Sequence, residues 1–140
     1  MRQYVHSTAI VHPLAKIADD VRVGPFSIIH ENVVIPTGCE IGAYCEIGIK
    51  TALGDGSPLV FGENATIRSH SIFYESSSFG AGLITGHRVT VREDTRAGKN
   101  LQIGTLGDIQ GDCVIGDFVR FHSNVHIGKM SVIENFVWIF

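Results

Sequence analysis

The feature that most limits how this chain can fold is an apolar residue at every sixth position. Val11, Ile17, Val23, Ile29, Ile35, Ile41, Ile47 and Leu53 form eight consecutive matches. After a slip of two residues the series resumes at Phe61 and continues through Ile67, Phe73, Phe79, Thr85, Val91, Ala97, Ile103, Ile109, Ile115, Phe121, Ile127, Ile133 and Ile139. Thr85 and Ala97 are its weakest members. With this position called i, the residue at i+4 is small or branched almost throughout, from Val21 and Ser27 to Ser131 and Val137. Positions i+4 and the next i are two apart, so they project from one face of a short strand, and the residues between must turn the chain. Eleven of the 16 glycines stand at i+1, among them Gly24, Gly42, Gly86, Gly104 and Gly128, where the absence of a Cβ is expected to relieve strain at a corner. No helical spacing of apolar residues is sustained over a long window.

A strand this short cannot bury its own inward face, so successive turns must stack at the ~4.8 Å strand spacing to close a narrow, continuous core. The expectation is an all-β solenoid forming a single domain over residues 1–140. At Gly54-Asp55-Gly56-Ser57-Pro58, turn-forming residues coincide with the slip, and a loop is expected to leave the prism near residues 54–60. A chain 44% hydrophobic and 18% charged supports a packed core. Its net charge of −3 gives no general attraction to nucleic acid or anionic membrane, so a phosphate-bearing ligand would need local basic residues. There is no run of 18 apolar residues, and the start Met1-Arg2-Gln3-Tyr4-Val5-His6 lacks a secretory apolar segment; a cytoplasmic location is expected. The last residues, Val137-Trp138-Ile139-Phe140, lie in a coil that is still patterned and carries no polar cap, which leads us to expect a truncated end.

The hexad, of the form Ile-Gly-x-x-Val-x over residues 11 to 140, resembles that of the hexapeptide-repeat acyltransferase superfamily. The resemblance implies a left-handed parallel β-helix with three hexads per coil, so that 22 hexads make about seven coils. It also implies a homotrimer with the acyl donor in the groove between prisms. The opening phrase, with His12-Pro13 and Val23-Gly24-Pro25-Phe26, is similar to that of UDP-N-acetylglucosamine acyltransferases. The stretches Thr85-Gly86-His87 through Arg92-Glu93, Ile109-Gln110-Gly111-Asp112 and Phe121-His122-Ser123-Asn124 look more like sugar-nucleotide N- or O-acyltransferases of surface-polysaccharide precursors. The implied reaction moves an acyl group, acetyl by preference, from an acyl-CoA to an amino or hydroxyl group of a nucleotide-linked sugar, with no metal.

Of the seven histidines, His87 stands apart because it lies at i+2 beside a corner, where packing does not require an imidazole. In several members of the superfamily the general-base histidine occupies this place, usually followed by Asp, Asn or Glu. Here Arg88 follows, which leaves Glu93, Glu75 or a backbone carbonyl to orient the ring. An imidazole titrating near neutral pH suits removal of a proton from the acceptor. Eighteen residues on, the Gly104-Thr105 corner is the expected oxyanion donor, and His122, 35 residues after His87, is expected along the same edge. On this reading Gly104, Thr105, Arg120, His122, Ser123 and Lys129 face the acyl donor, and Glu75, Arg88 and Arg92 face the sugar. The bland counterpart is a solvated face, since Glu93, Asp94 and Asp117 interleave with the basic residues. Cys39, Cys45 and Cys113 all fall at i+4 and are expected to be core residues. His6, His12 and His30 read as features of the N-terminal end, and His126 as a solvated side chain. Two alternatives stay open. One is a γ-class carbonic anhydrase-like metalloenzyme using His87, His122 and His126, although the spacing of four between the last two departs from that family's ligand pattern. The other is a non-catalytic sugar-binding scaffold.

Overall fold

The computed structural model describes residues 4–140; Met1, Arg2 and Gln3, part of the N-terminal stretch read above, lie outside the described residues. Among the described residues, 22 short strands form three parallel sheets of eight, seven and seven strands, the faces of a left-handed β-helical prism. The first face runs from Tyr4–Val5 to Trp138–Ile139, the second from Ile10–Val11 to His126–Ile127, and the third from Lys16–Ile17 to Val132–Ile133. Strands pair with those 18 residues on, as in Ile84 with Gln102 and Thr90 with Asp108. The inward i and i+4 side chains fill the prism. The core is bulkiest where the rings of Phe61, Phe73 and Phe79 meet at centroid separations of 5.3, 5.5 and 5.7 Å.

The corners differ from the expectation based on glycine. On the first corner, between the first and second faces, the residue with positive φ is at i+3: Phe26, Tyr44, His70, Arg88, Leu106 or Asn124, with φ between 56° and 63°. This is the second central place of a type II turn. From Tyr44 onward its N–H donates to the i+2 carbonyl one coil back, as Arg88 N does to Ser69 O at 2.9 Å and Leu106 N to His87 O at 3.0 Å, while the Phe26 N–H donates to Thr8 Oγ1. Of the i+1 glycines, Gly48 has a positive φ of 90°, whereas those on the first corner meet a different need. A Cβ on Gly24 or Gly42 would come within 2.8 or 2.9 Å of a backbone nitrogen in the next coil, so glycine is required there by the close approach of stacked backbones.

The excursion also lies earlier than residues 54–60. Val34 of the third face pairs with Val60, 26 residues on instead of 18, an insertion of eight. The second-face strand ends at Ile49 and the next strand is Leu59–Val60, so the loop comprises residues 50–58 and Leu59 and Val60 belong to the prism. Leu53 keeps the six-residue period yet is 67% exposed in this loop. The hexad count of 22 survives because Val5 begins the series as Leu53 leaves it.

Candidate functional site

On the first corner the i+2 residues Ser69, His87, Thr105 and Ser123 stand 18 apart and therefore stack in one column. The His87 ring is exposed, with Nδ1 2.8 Å from Ser69 Oγ. The His87 N–H donates to Thr105 Oγ1 at 3.2 Å. Three coils thus hold one imidazole, through its ring on one side and its backbone on the other. Ser69 occupies Nδ1, and no hydrogen bond is made by Nε2 among the described residues.

Ser69 meets the ring where the sequence left Glu93, Glu75 or a backbone carbonyl to orient it. Glu75 and Glu93 stand on the second corner, between the second and third faces, and are buried. Glu93 Oε1 accepts from Arg92 Nη2 at 3.0 Å, and the Arg92 guanidinium lies over the Tyr74 ring at 4.4 Å. Glu75 Oε2 accepts from Asn32 Nδ2 at 3.3 Å. The structure therefore gathers Glu75, Arg92 and Glu93 into a group apart from His87, while Arg88 keeps its place beside His87 as the left-handed corner residue. Lys129 joins the second corner too, pairing with Asp112 at 3.4 Å.

The 50–58 loop is strapped over this second corner. Ser76 Oγ donates to Ser57 O at 3.1 Å, Arg96 Nη1 to Ser76 O at 2.8 Å and Asn32 Nδ2 to Gly56 O at 3.1 Å. Arg96 also faces Asp55 at 3.5 Å. The Ser57 hydroxyl and N–H hold the Asp55 carboxyl below the ordinary Asp value, whereas burial, aided by repulsion from Asp55 and Asp112, pushes Asp94 above it.

Beside the His87 column, the first face carries an open cleft of about 260 Å³ lined by Gly86, Gly104, Thr105, Arg120, His122 and Ser123, together with Arg68. Five residues assigned to the acyl donor are brought together here, and Lys129 is not among them. His122 enters at i+1, outside the i+2 column, with its ring 4.2 Å from that of Phe140. Arg68 was missed by sequence reasoning, although the phase of the repeat marks it as an arginine at i+1, where Gly42, Gly86 and Gly104 stand in other coils. A larger hollow of about 420 Å³ lies toward the N-terminal end of this face, lined by Val5, Val23, Ile41 and their neighbours, away from the histidine column. His126 faces Asp108 at 3.3 Å. Among the described residues, no three His, Cys, Asp or Glu side chains converge as a metal-ligand group.

No protein-family model matches the chain. Among curated proteins it is 33% identical over 132 residues to the acyl-(acyl-carrier-protein)–UDP-N-acetylglucosamine O-acyltransferase of Saccharophagus degradans, covering 94% of this chain and 48% of that protein. It is 29% identical to the protein of the same name from Thermodesulfovibrio yellowstonii, covering 81% of this chain and 55% of that one. The chain thus spans about half the length of the curated relatives it matches. Among solved structures, the UDP-N-acetylglucosamine O-acyltransferase of Moraxella catarrhalis superposes with a TM-score of 0.67 at 18% identity, covering 94% of this chain and 62% of that one. The UDP-N-acetylglucosamine acyltransferase of Bacteroides fragilis gives 0.62 at 20% identity, covering 95% and 69%. These structural likenesses establish the fold.

Proposed function

We propose, for a chain of the hexapeptide-repeat superfamily whose homologues are acyltransferases, that it transfers an acyl group from a thioester to a hydroxyl or amino group of a nucleotide-linked sugar. The observation that carries this reading is the Ser69–His87–Thr105 ladder beside the first-face cleft. Ser69 Oγ holds Nδ1, and His87 Nε2 takes the acceptor's proton as its oxygen or nitrogen attacks the thioester carbonyl. The Gly104-Thr105 corner, which borders the cleft, is the proposed oxyanion donor. Collapse of the tetrahedral intermediate breaks the C–S bond, and the departing thiolate recovers the proton from His87. In this reading the donor is acetyl-CoA or another acyl-CoA, the working unit is a homotrimer, and the site of action is cytoplasmic.

Thiol release, measured with acetyl-CoA, longer acyl-CoAs and acyl carrier protein thioesters against a panel of nucleotide sugars, tests the reaction and its donor. His87→Ala is expected to lower kcat/KM by about 10²- to 10⁴-fold, the usual effect of losing a general base, with an unchanged melting temperature. Ser69→Ala is expected to cause a smaller loss. An unchanged kcat/KM in His87→Ala sinks the assignment of the base, and no thiol release with any donor returns the chain to the non-catalytic reading.

A further inference from the structure

Arg68 departs from the hexad rule at a place where the fold gives it its own support. At the glycines that occupy i+1 in other coils, the N–H donates to the i carbonyl of the next coil, as Gly42 N does to Ile67 O at 2.7 Å and Gly86 N to Ile103 O at 2.8 Å. At Arg68 this bond is rerouted. The Arg68 N–H donates to the side-chain Oγ1 of Thr85 at 3.1 Å, and the Thr85 carbonyl accepts from Arg68 Nη1 at 3.3 Å. Thr85 is fully buried at an inward position that is apolar in nearly every other hexad. A buried hydroxyl is unfavourable unless it is hydrogen-bonded. Here its oxygen frees a carbonyl that fixes the guanidinium over the cleft.

The rest of the cleft indicates what that guanidinium faces. Arg120 borders the same cleft, and no carboxylate lines it. Among the described residues, neither arginine forms an ion pair with an Asp or Glu. Thr105, Ser123, Gln102 and His122 supply neutral polar groups between them. The planar fork of a guanidinium matches phosphate oxygens in a bidentate manner. Arg68 and Arg120 are rooted three coils apart, ~14 Å at the ~4.8 Å strand spacing, and both line the cleft, the Arg120 guanidinium 5.7 Å from the Trp138 ring. Roots this far apart suit two phosphates in series better than one.

We infer that this cleft is a diphosphate site, with Arg68 and Arg120 as its binding residues and Thr85 as the positioning residue of Arg68. The diphosphate belongs to the nucleotide sugar or to CoA, and to that extent the inference rests on the acyl-transfer reading. Binding itself does not require turnover.

Calorimetric titration of the full chain with UDP, UMP, uridine and CoA is the test. UDP or CoA is expected to bind, UMP more weakly, and uridine not at all; a preference for UDP assigns the cleft to the acceptor, and a preference for CoA assigns it to the donor. Arg68→Ala and Arg120→Ala should each weaken Kd by about ten- to a hundredfold, as when a charge-assisted hydrogen bond is lost. Arg68→Lys should recover only part of that loss, because an ammonium lacks the fork. Thr85→Val should weaken diphosphate binding in the native background and have no further effect in an Arg68→Ala background, a coupling that general destabilisation would not produce. Thermal melts confirm that each variant is folded. Unchanged Kd values in Arg68→Ala, no binding of either diphosphate, or uridine binding as tightly as UDP would overturn the inference. His87→Ala separates the two proposals, since it should lower transfer by about 10²- to 10⁴-fold and leave diphosphate binding intact.

Discussion

At the scale of single residues, the same residue type answers to different forces in different coils. Gly104 is needed because a Cβ there would lie 2.5 Å from the backbone of His122 and Ser123, whereas a Cβ on Gly128 would meet nothing within 4 Å. Gly104→Ala should therefore destabilise the protein by about 2 kcal/mol, in the range of overpacking, while Gly128→Ala should stay within about 0.5 kcal/mol, as for an unconstrained surface site. Urea titrations of the two variants check this, and equal losses would refute the close-approach account. The three cysteines are buried and free, and burial pushes the thiols of Cys39 and Cys45 above their ordinary value. Their position in the repeat already assigns them to the core.

At the scale of elements, the 50–58 loop and the second corner act as one unit. Asp94 lies under this strap with φ of 56°, and its carboxyl is held above the ordinary value chiefly by burial. A carboxyl raised on folding contributes stability while it is protonated, below its unfolded value of about 3.9, and that contribution is lost as pH rises through the folded value. Asp94→Asn, with a side chain that tolerates the left-handed backbone, should raise Tm at pH 7 and leave it unchanged near pH 3. A Tm at pH 7 that is equal or lower argues against burial as a cost of the ionised Asp94 carboxylate. In the core beside the loop, Phe73 is fully buried between Phe61 and Phe79. Phe73→Ala should cost about 3–5 kcal/mol, measured by chemical denaturation.

At the scale of the whole molecule, each coil touches only its neighbours, so stability should vary along the prism axis. Ile29, Ile47, Ile109 and other middle residues of the i series are fully buried, while Val11, Ile17, Ile133 and Ile139 are only partly buried. Hydrogen exchange is expected to be slowest for inter-coil amides around Phe61–Phe79 and faster toward the first and last coils. Uniform protection from Tyr4 to Phe140 would contradict this. The solution mass, read by light scattering, tests the homotrimer, for which three copies are expected.

The amino-acid sequence by itself determines the strand and corner alternation, the inward positions, the stacking period and the fate of the cysteines, because the side on which a residue projects is a local property of a six-residue repeat. The same arithmetic that links His87 to Thr105 also reaches Ser69, so the column is present in the order of residues. Only the tertiary structure decides the rest. An insertion of eight and a slip of two leave the same phase in a six-residue repeat, so the place of Leu53 outside the prism becomes visible only when Val60 pairs with Val34. The phase of the repeat already puts Glu75 and Glu93 on a neighbouring face from His87, and it is the three-dimensional packing that shows Ser69 meeting the ring in their stead. The role of Thr85, weak as an apolar residue, emerges only once the Arg68 N–H can choose between a backbone carbonyl and a hydroxyl one coil away, a choice made by three-dimensional proximity.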